Sequence, residues 1–257
     1  HGGVYLSFQH CSERALRESF GPVIDRLAAN GIDLTKMPIE VAPIAHYHMG
    51  GIVTDAQMQT DLPGLFAAGE AVGGANGANR LSGNAITEAL VFGRRAGRSA
   101  ADYVRRSSTS PDPADGASKA IALIAADAST SDFNTAEMLQ TLQKTMQDNV
   151  GALRSEAKIV VALDIIRRLT EELGNTPPGD GNRFDMRRIE WFDLRNMLLV
   201  ARVVAEAALA RTETRGAQQR EDYPQLSPDW AFNQIARLRG ARIELSGGPP
   251  AVAVAAS

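Results

Sequence analysis

Only one cysteine, Cys11, stands in the 257 residues. No disulfide can close within the chain, and neither a CxxC spacing nor a paired Cys/His set is there to hold structural zinc. An excess of charge of one sign is missing too: 27 Lys and Arg face 30 Asp and Glu, a formal net charge of −3. The arginines are spread along the chain, so no basic field exists to compensate a phosphate backbone, and nucleic acid is excluded as the main partner. No apolar run approaches the roughly 18 residues that suggest a membrane span. The opening HGGVYLSF lacks the charged and apolar regions of a signal peptide. Walker, HExxH and GxSxG sequences are absent, as is a GxGxxG loop near a first strand. These absences, with 44% hydrophobic residues, describe a globular chain with one large or two small cores, without a metal site, suited to a reducing, cytoplasmic compartment.

Periodicity divides what is present. Val4-Tyr5-Leu6-Ser7-Phe8 reads as a short strand, and 12–30 as a helix with Leu16, Phe20, Ile24 and Leu27 at steps of three and four, stopped by Asn30-Gly31. Pro38 and Pro43 flank an extended Ile39-Glu40-Val41-Ala42. From His46 to about Tyr103 glycines crowd together. Leu65-Phe66-Ala67-Ala68 there reads as a buried strand feeding a loop, and a helix follows from about Asn84 to Val104. Glycines in this stretch permit positive φ and close approach of backbone to a ligand. Residues 107–118, SSTSPDPADGAS, have the composition of a linker.

Beyond the linker the chain reads as helical, with helices over 139–146, 153–173 and 191–211 and with Leu194, Leu198, Ala201, Ala205 and Ala208 as one small apolar face. After Pro224 the chain is expected to be irregular. No internal repeat is found.

Two segments can carry chemistry: His46-Tyr47-His48-Met49-Gly50-Gly51 and Asn79-Arg80-Leu81-Ser82-Gly83-Asn84. An imidazole hydrogen-bonds a carboxylate and a guanidinium holds one bidentately, so His46 and Arg80 together suit a small acid. Taken singly, a His beside a glycine turn is more often a loop or satisfied core residue, and an Arg near a helix start is usually a surface charge. Glu70, at the end of the expected strand, suits a ribose or ribityl hydroxyl, or else a helix cap.

Residues 46–97, HYHMGGIVTDAQMQTDLPGLFAAGEAVGGANGANRLSGNAITEALVFGRRAG, resemble in ordered motifs the second flavin-binding segment of the succinate dehydrogenase and fumarate reductase flavoproteins, a family that L-aspartate oxidase also resembles. Residues 195–224, RNMLLVARVVAEAALARTETRGAQQREDYP, are similar to that family's C-terminal helical domain. The resemblance implies an α+β chain divided at 1–45 (the remainder of a capping domain), 46–106 (the second segment of the FAD-binding domain), 107–235 (the C-terminal helical domain, a three-helix bundle) and 236–257 (an irregular tail). It further implies hydride transfer between a small dicarboxylate, succinate or fumarate, and FAD. His46 then matches the histidine that binds one carboxylate and Arg80 the arginine that clamps a carboxylate. Glu70 matches the glutamate at the ribityl region, and Asn84, Ala85 and Ile86 lie where the backbone meets the flavin ring. An iron–sulfur subunit is the implied partner, and peripheral attachment at the inner face of a membrane through partner subunits the implied location.

Three departures from the pattern stand out: Asn76 where the family usually has His, Ala85 where it usually has Ser, and Gln218 where RGAH is usual. The last is expected to alter an interface without touching the site. The glycine loop that seats the FAD pyrophosphate is not among these residues, so the chain reads as the C-terminal part of a longer flavoprotein that would alone bind FAD weakly or not at all and be inactive. Residues 46–105 are expected to expose apolar surface that favours self-association or partner binding. Two other readings remain open: a piece of an L-aspartate oxidase, and a helical interaction module or one half of a split flavoprotein without catalysis of its own.

Overall fold

A computed structural model describes residues 3–42, 46–107, 114–126, 134–179 and 184–248. Pro43, residues 108–113 of the expected linker and the terminal 249–257 lie outside them. Two units are distinguished, residues 1–48 and 49–257.

In the first unit, strand β1 (Val4–Leu6) pairs antiparallel with β2 (Ile39–Val41), Val4 opposite Val41. Helix α1 (Glu13–Ala28) connects them, and its N-cap Ser12 hydroxyl accepts from the Ala15 N–H. Leu16, Ile24 and Leu34 form the small core, ringed by Phe8, Cys11, Leu27 and Ile39. Phe20 departs from the expected apolar face. Pro22 has no N–H to continue the helical ladder, the helix kinks at Phe20 (φ −133°, ψ 20°), and the ring turns outward to 47% exposure beside Phe8.

The second unit begins with an irregular stretch leading to helix α2 (Asn84–Arg106). The expected buried strand over Leu65–Ala68 is not formed. Phe66 makes one isolated bridge to Gln59, Leu65 is 48% exposed, and Ala68 is extended only as the cap of a 3-10 turn, Gly69–Ala71. Residues 58–60 run antiparallel beside it, the Thr60 N–H donating to Leu65 O at 3.0 Å and the Ala67 N–H to Met58 O at 3.1 Å, but the pairing ends at that one bridge. Phe66 packs edge-on against Tyr103 of α2 instead. The apolar surface expected over 46–105 is present: Ile52, Val53, Leu62, Leu65, Ile86 and Leu90 are all exposed.

Helix α3 (Ala114–Ile124) takes up residues expected as linker, and the Arg188 guanidinium caps its end by donating to the carbonyls of Ile124 and Ala126 at 2.5 and 3.0 Å. Helices α4 (Thr135–Asn149), α5 (Glu156–Leu173) and α6 (Met186–Ala210) then pack on one another in all three pairings. On α6 the buried positions Trp191, Leu194, Leu198, Ala201, Ala205 and Ala208 alternate steps of three and four, and the three alanines let α6 approach its neighbours closely. Ile159, Ala162, Ile166, Leu169 and Leu173 of α5 and Met138 and Leu142 of α4 complete the core. The helices begin where side chains cap them: Asn134 accepts from the Ala136 and Glu137 N–H groups, Ser155 from Lys158, and Asp185 from Arg187. Those caps lie upstream of where the apolar spacing first shows, except at α5, which starts later than expected because β3 (Leu153–Arg154) occupies the preceding residues.

The expected irregular tail is corrected over 236–248. Strand β5 (Asn233–Arg239) forms an antiparallel hairpin with β6 (Arg242–Gly248) about Gly240-Ala241. Two charged contacts fasten the hairpin to α6 and its C-cap: Arg202 donates to the Ala241 carbonyl at 2.9 Å, and Arg211, the C-cap, to Gln234 Oε1 at 3.2 Å. Strand β4 (Gln219–Arg220) pairs parallel with β3. No helix among the described residues is long and apolar enough to cross a membrane.

Candidate functional site

The glycine-rich segment is shaped first by its own backbone. Ile52 N–H donates to Ala71 O and Gly73 N–H to Ile52 O, at 2.8 and 3.2 Å, which draws residues 50–52 across residues 71–73. A Cβ on Gly51 would lie 2.5 Å from Ala71 O and 2.6 Å from Gly73 N, and one on Gly73 would lie 2.7 Å from Gly51 N. These two glycines serve a crossing of chain on chain.

The loop beyond the crossing, 74–83, is held from two sides. Toward α2, the Asn76 amide donates to both carboxylate oxygens of Glu88 at 3.0 and 3.3 Å, and Glu88 is the buried residue of that helix. On the other side, Gly216 of the turn 215–218 sits against Ala78, where a Cβ on Gly216 would come within 2.9 Å of the Ala78 Cβ. Arg80 follows these supports two residues beyond Ala78. Its N–H donates to Asn79 Oδ1 at 2.9 Å, its Nη1 donates to Leu81 O at 3.0 Å, and its Nε is closed off from solvent.

Helix α2 starts immediately after. Its N-cap is Gly83 with φ +89°, which supplies no side-chain cap. The Asn84 and Ile86 N–H groups turn back to Leu81 O and Gly83 O, both at 3.2 Å. Ala85, at the second helical position, has no helical acceptor for its N–H. A Cβ on Gly74, Gly77 or Gly83 would meet no atom within 4 Å. An open surface thus borders a helix start bearing a backbone donor, with exposed Ile86 beside it. That suits one edge of a planar ring rich in hydrogen-bond acceptors, so Asn84, Ala85 and Ile86 fit a flavin by their surroundings.

Glu70 is exposed on the 3-10 turn that packs on α2, with Gly69 set against Ala89. The structure therefore gathers Glu70, Arg80 and 84–86 around the first half of one helix. His46 belongs to the other unit, where it is exposed.

Sequence reasoning missed what supports the site. Glu213 is fully buried and its carboxylate is gripped by Arg215 (2.6 and 3.0 Å), Arg211 (2.7 Å) and the Ser227 N–H (2.8 Å). The Arg215 hydrogen bonds lead in holding its pKa down, from 4.5 to about 2, against the opposing effect of burial. Arg220, also buried, forks onto Asp222 and donates to the carbonyls of Ala208, Leu209 and Arg211, closing the end of α6. That guanidinium holds the Asp222 carboxyl well below its usual range. Gln218 bonds within the chain, its amide donating to Ala208 O and Arg211 O at 3.2 and 3.1 Å while its Oε1 accepts from Arg154 at 3.1 Å. The only trace of this in the sequence is the density of Arg and acidic residues over 211–222.

Comparison with known proteins gives the family. Residues 139–247 match the family described as fumarate reductase flavoprotein C-term, and residues 1–86 match the FAD binding domain. A CoM/CoB fumarate reductase chain of Methanothermobacter marburgensis is 37% identical over 90% of this chain and 42% of its own length. An L-aspartate oxidase of Rhodospirillum rubrum is 36% identical over 88% of this chain and 73% of its own. Among solved structures, the Mycobacterium smegmatis Sdh1 complex in the apo form superposes with a TM-score of 0.81 at 37% identity, covering 100% of this chain and 45% of that one. The chain spans about two fifths of the length of the first of these relatives. The motifs, the fold and the relatives together make this chain a member of the succinate dehydrogenase and fumarate reductase flavoprotein family, to which the L-aspartate oxidases are related.

Proposed function

We propose that this chain forms the C-terminal portion of an FAD-dependent oxidoreductase that interconverts a small dicarboxylate pair, succinate and fumarate. The observation that carries this reading is Arg80, held at the base of an open glycine loop one turn before a helix start without a side-chain cap. A fixed guanidinium there grips one substrate carboxylate bidentately. Glu70 accepts a hydrogen bond from a ribityl hydroxyl, while the Ala85 N–H and the face of Ile86 seat the ring. FAD, when bound, supplies the hydride chemistry. What these residues contribute is orientation of the substrate carbon chain and neutralisation of its charge.

The experiment is a steady-state comparison in the FAD-loaded protein containing this chain. Arg80→Ala should raise KM for succinate and lower kcat/KM by at least about a hundredfold, since one carboxylate loses its bidentate partner. Kinetics equal to the parent's would remove Arg80 from the site. The 257 residues alone should emerge from gel filtration without FAD and without activity, because no glycine-rich pyrophosphate loop is among them.

The relative from Rhodospirillum rubrum supports a second reading, an oxidase of L-aspartate. Oxidation of L-aspartate in preference to succinate by the same preparation would select it. A partner iron–sulfur subunit, and attachment to a membrane through partner subunits, belong to the first reading. Without turnover of either acid, the chain would be read as a helical interaction module.

A further inference from the structure

Two loops distant in sequence touch at one point, and both sides of that contact are built. From the C-terminal region comes the turn Arg215-Gly216-Ala217-Gln218, closed by Arg215 N–H to Gln218 O at 2.9 Å and Gln218 N–H to Arg215 O at 3.1 Å, with Gly216 at φ +59°. Its two ends are anchored in different ways. Arg215 is locked to the buried Glu213 and to Ser227 O, while Gln218 bridges Arg154 and the last carbonyls of α6. From the glycine-rich segment comes the loop carrying Asn76, Ala78 and Arg80. Gly216 lies so close to Ala78 that an added methyl would reach 2.9 Å from the Ala78 Cβ and 3.4 Å from its Cα.

We infer that the turn 215–218 is a brace that sets the conformation of the loop 76–80, and that Gly216 is through it a positioning residue for Arg80. The physical reason is the difference in anchoring. The loop has its Asn76–Glu88 tie at one end and open space over Gly74 and Gly77, so it has room to move away from α2. The turn is fixed by a buried ionic network and by the end of a packed helix, so it does not yield when the contact is crowded. A methyl at 216 therefore displaces the loop, and Arg80 with it. The role assigned to Arg80 rests on the proposed dicarboxylate reading; the mechanical coupling does not.

Hydrogen exchange on this chain tests the coupling, and kinetics on the FAD-loaded protein containing it tests the consequence. In Gly216→Ala, peptides spanning 74–84 should exchange about tenfold faster than in the parent. Gly240→Ala is the control, since Gly240 has nearly the same φ, +60°, but nothing within 4 Å of its added Cβ; it should leave those peptides unchanged. Adding Ala78→Gly to Gly216→Ala removes the collision while keeping the backbone strain, and should restore most of the protection. KM for succinate should rise about tenfold or more in Gly216→Ala, stay at the parent value in Gly240→Ala, and recover in the double variant. A merely structural role would lower the thermal midpoint of both single variants alike and leave KM untouched. Equal exchange at 74–84 in Gly216→Ala and Gly240→Ala overturns the brace. Faster exchange with an unchanged KM in both Gly216→Ala and Arg80→Ala keeps the brace and overturns the substrate role of Arg80. Faster exchange with KM changed only in Arg80→Ala overturns the positioning role of Gly216.

Discussion

Asn76 and Glu88 form a two-point hydrogen bond, amide to carboxylate at 3.0 and 3.3 Å, that ties the glycine loop to the helix it precedes. Replacing Glu88 by Ala leaves the amide without its acceptor and the loop with one support. The expected cost is about 1–3 kcal/mol, seen as a thermal midpoint several degrees lower. Glu88→Gln, which keeps one acceptor oxygen, should lose less. Identical melting of Glu88→Ala and the parent would mean that the tie contributes nothing.

Glu213 gives the stability a definite dependence on acid. Its carboxyl is held at about 2 in the folded chain against an ordinary 4.5, so the folded state favours the ionised form. This contribution is fully present above about pH 4.5 and is lost as pH falls through about 2. In Glu213→Gln the contribution is absent at every pH. The two proteins should therefore differ most in urea midpoint near pH 6 and converge as pH approaches 2. A gap that is constant over that range would contradict the assignment.

Removal of the Gln218 side-chain polarity should show that it works inside the fold. Gln218→Leu keeps the bulk but removes three hydrogen bonds, while Arg220 still serves the carbonyls of Ala208 and Arg211 and Arg154 still reaches Gly151 O, so the expected cost is about 0.5–1.5 kcal/mol. Gln218→His retains one donor and one acceptor and should fall between. Chemical denaturation orders the three proteins; Leu equal to Gln would place the residue's worth elsewhere.

At the centre of the helices Ala205 is 0% exposed and Leu198 is 2% exposed. Ala205→Leu overfills a closely packed contact and should cost about 1–3 kcal/mol, while Leu198→Ala opens a cavity and should cost about 2–5 kcal/mol. Val200→Ala, at a position 53% exposed, should stay within about 0.5 kcal/mol of the parent. Urea midpoints measured side by side test the order.

What could be read from the residues alone divides along one physical line. Helices α1, α5 and α6 announce themselves because their apolar steps are local, and the five small apolar positions expected on α6 are all buried. The matches over 1–86 and 139–247 follow from motifs that are equally local. Leu65–Ala68 misleads because the length of its pairing is set by residues 58–60, which meet it at a single bridge, too short for a strand. The hairpin β5–β6 was hidden for the converse reason, its pairing being set by residues on both sides of Gly240 and by Arg202 reaching in from α6. The proposed site residues Arg80, Glu70 and 84–86 are chosen by type and motif. Their supports, Glu88, Glu213, Gly216 and Gln218, could not be chosen so, since each acts through a neighbour that the folded chain alone supplies.

The crossing of residues 50–52 over 71–73 has a consequence for how this sequence can vary. At Gly216 the obstacle is a side chain, so a change there can be offset by trimming Ala78, and the two positions can drift as a pair. At Gly51 and Gly73 the obstacle is main chain, 2.5 to 2.7 Å away, and no substitution elsewhere makes room. A saturation library should return compensated pairs at the first contact and glycine alone at the second.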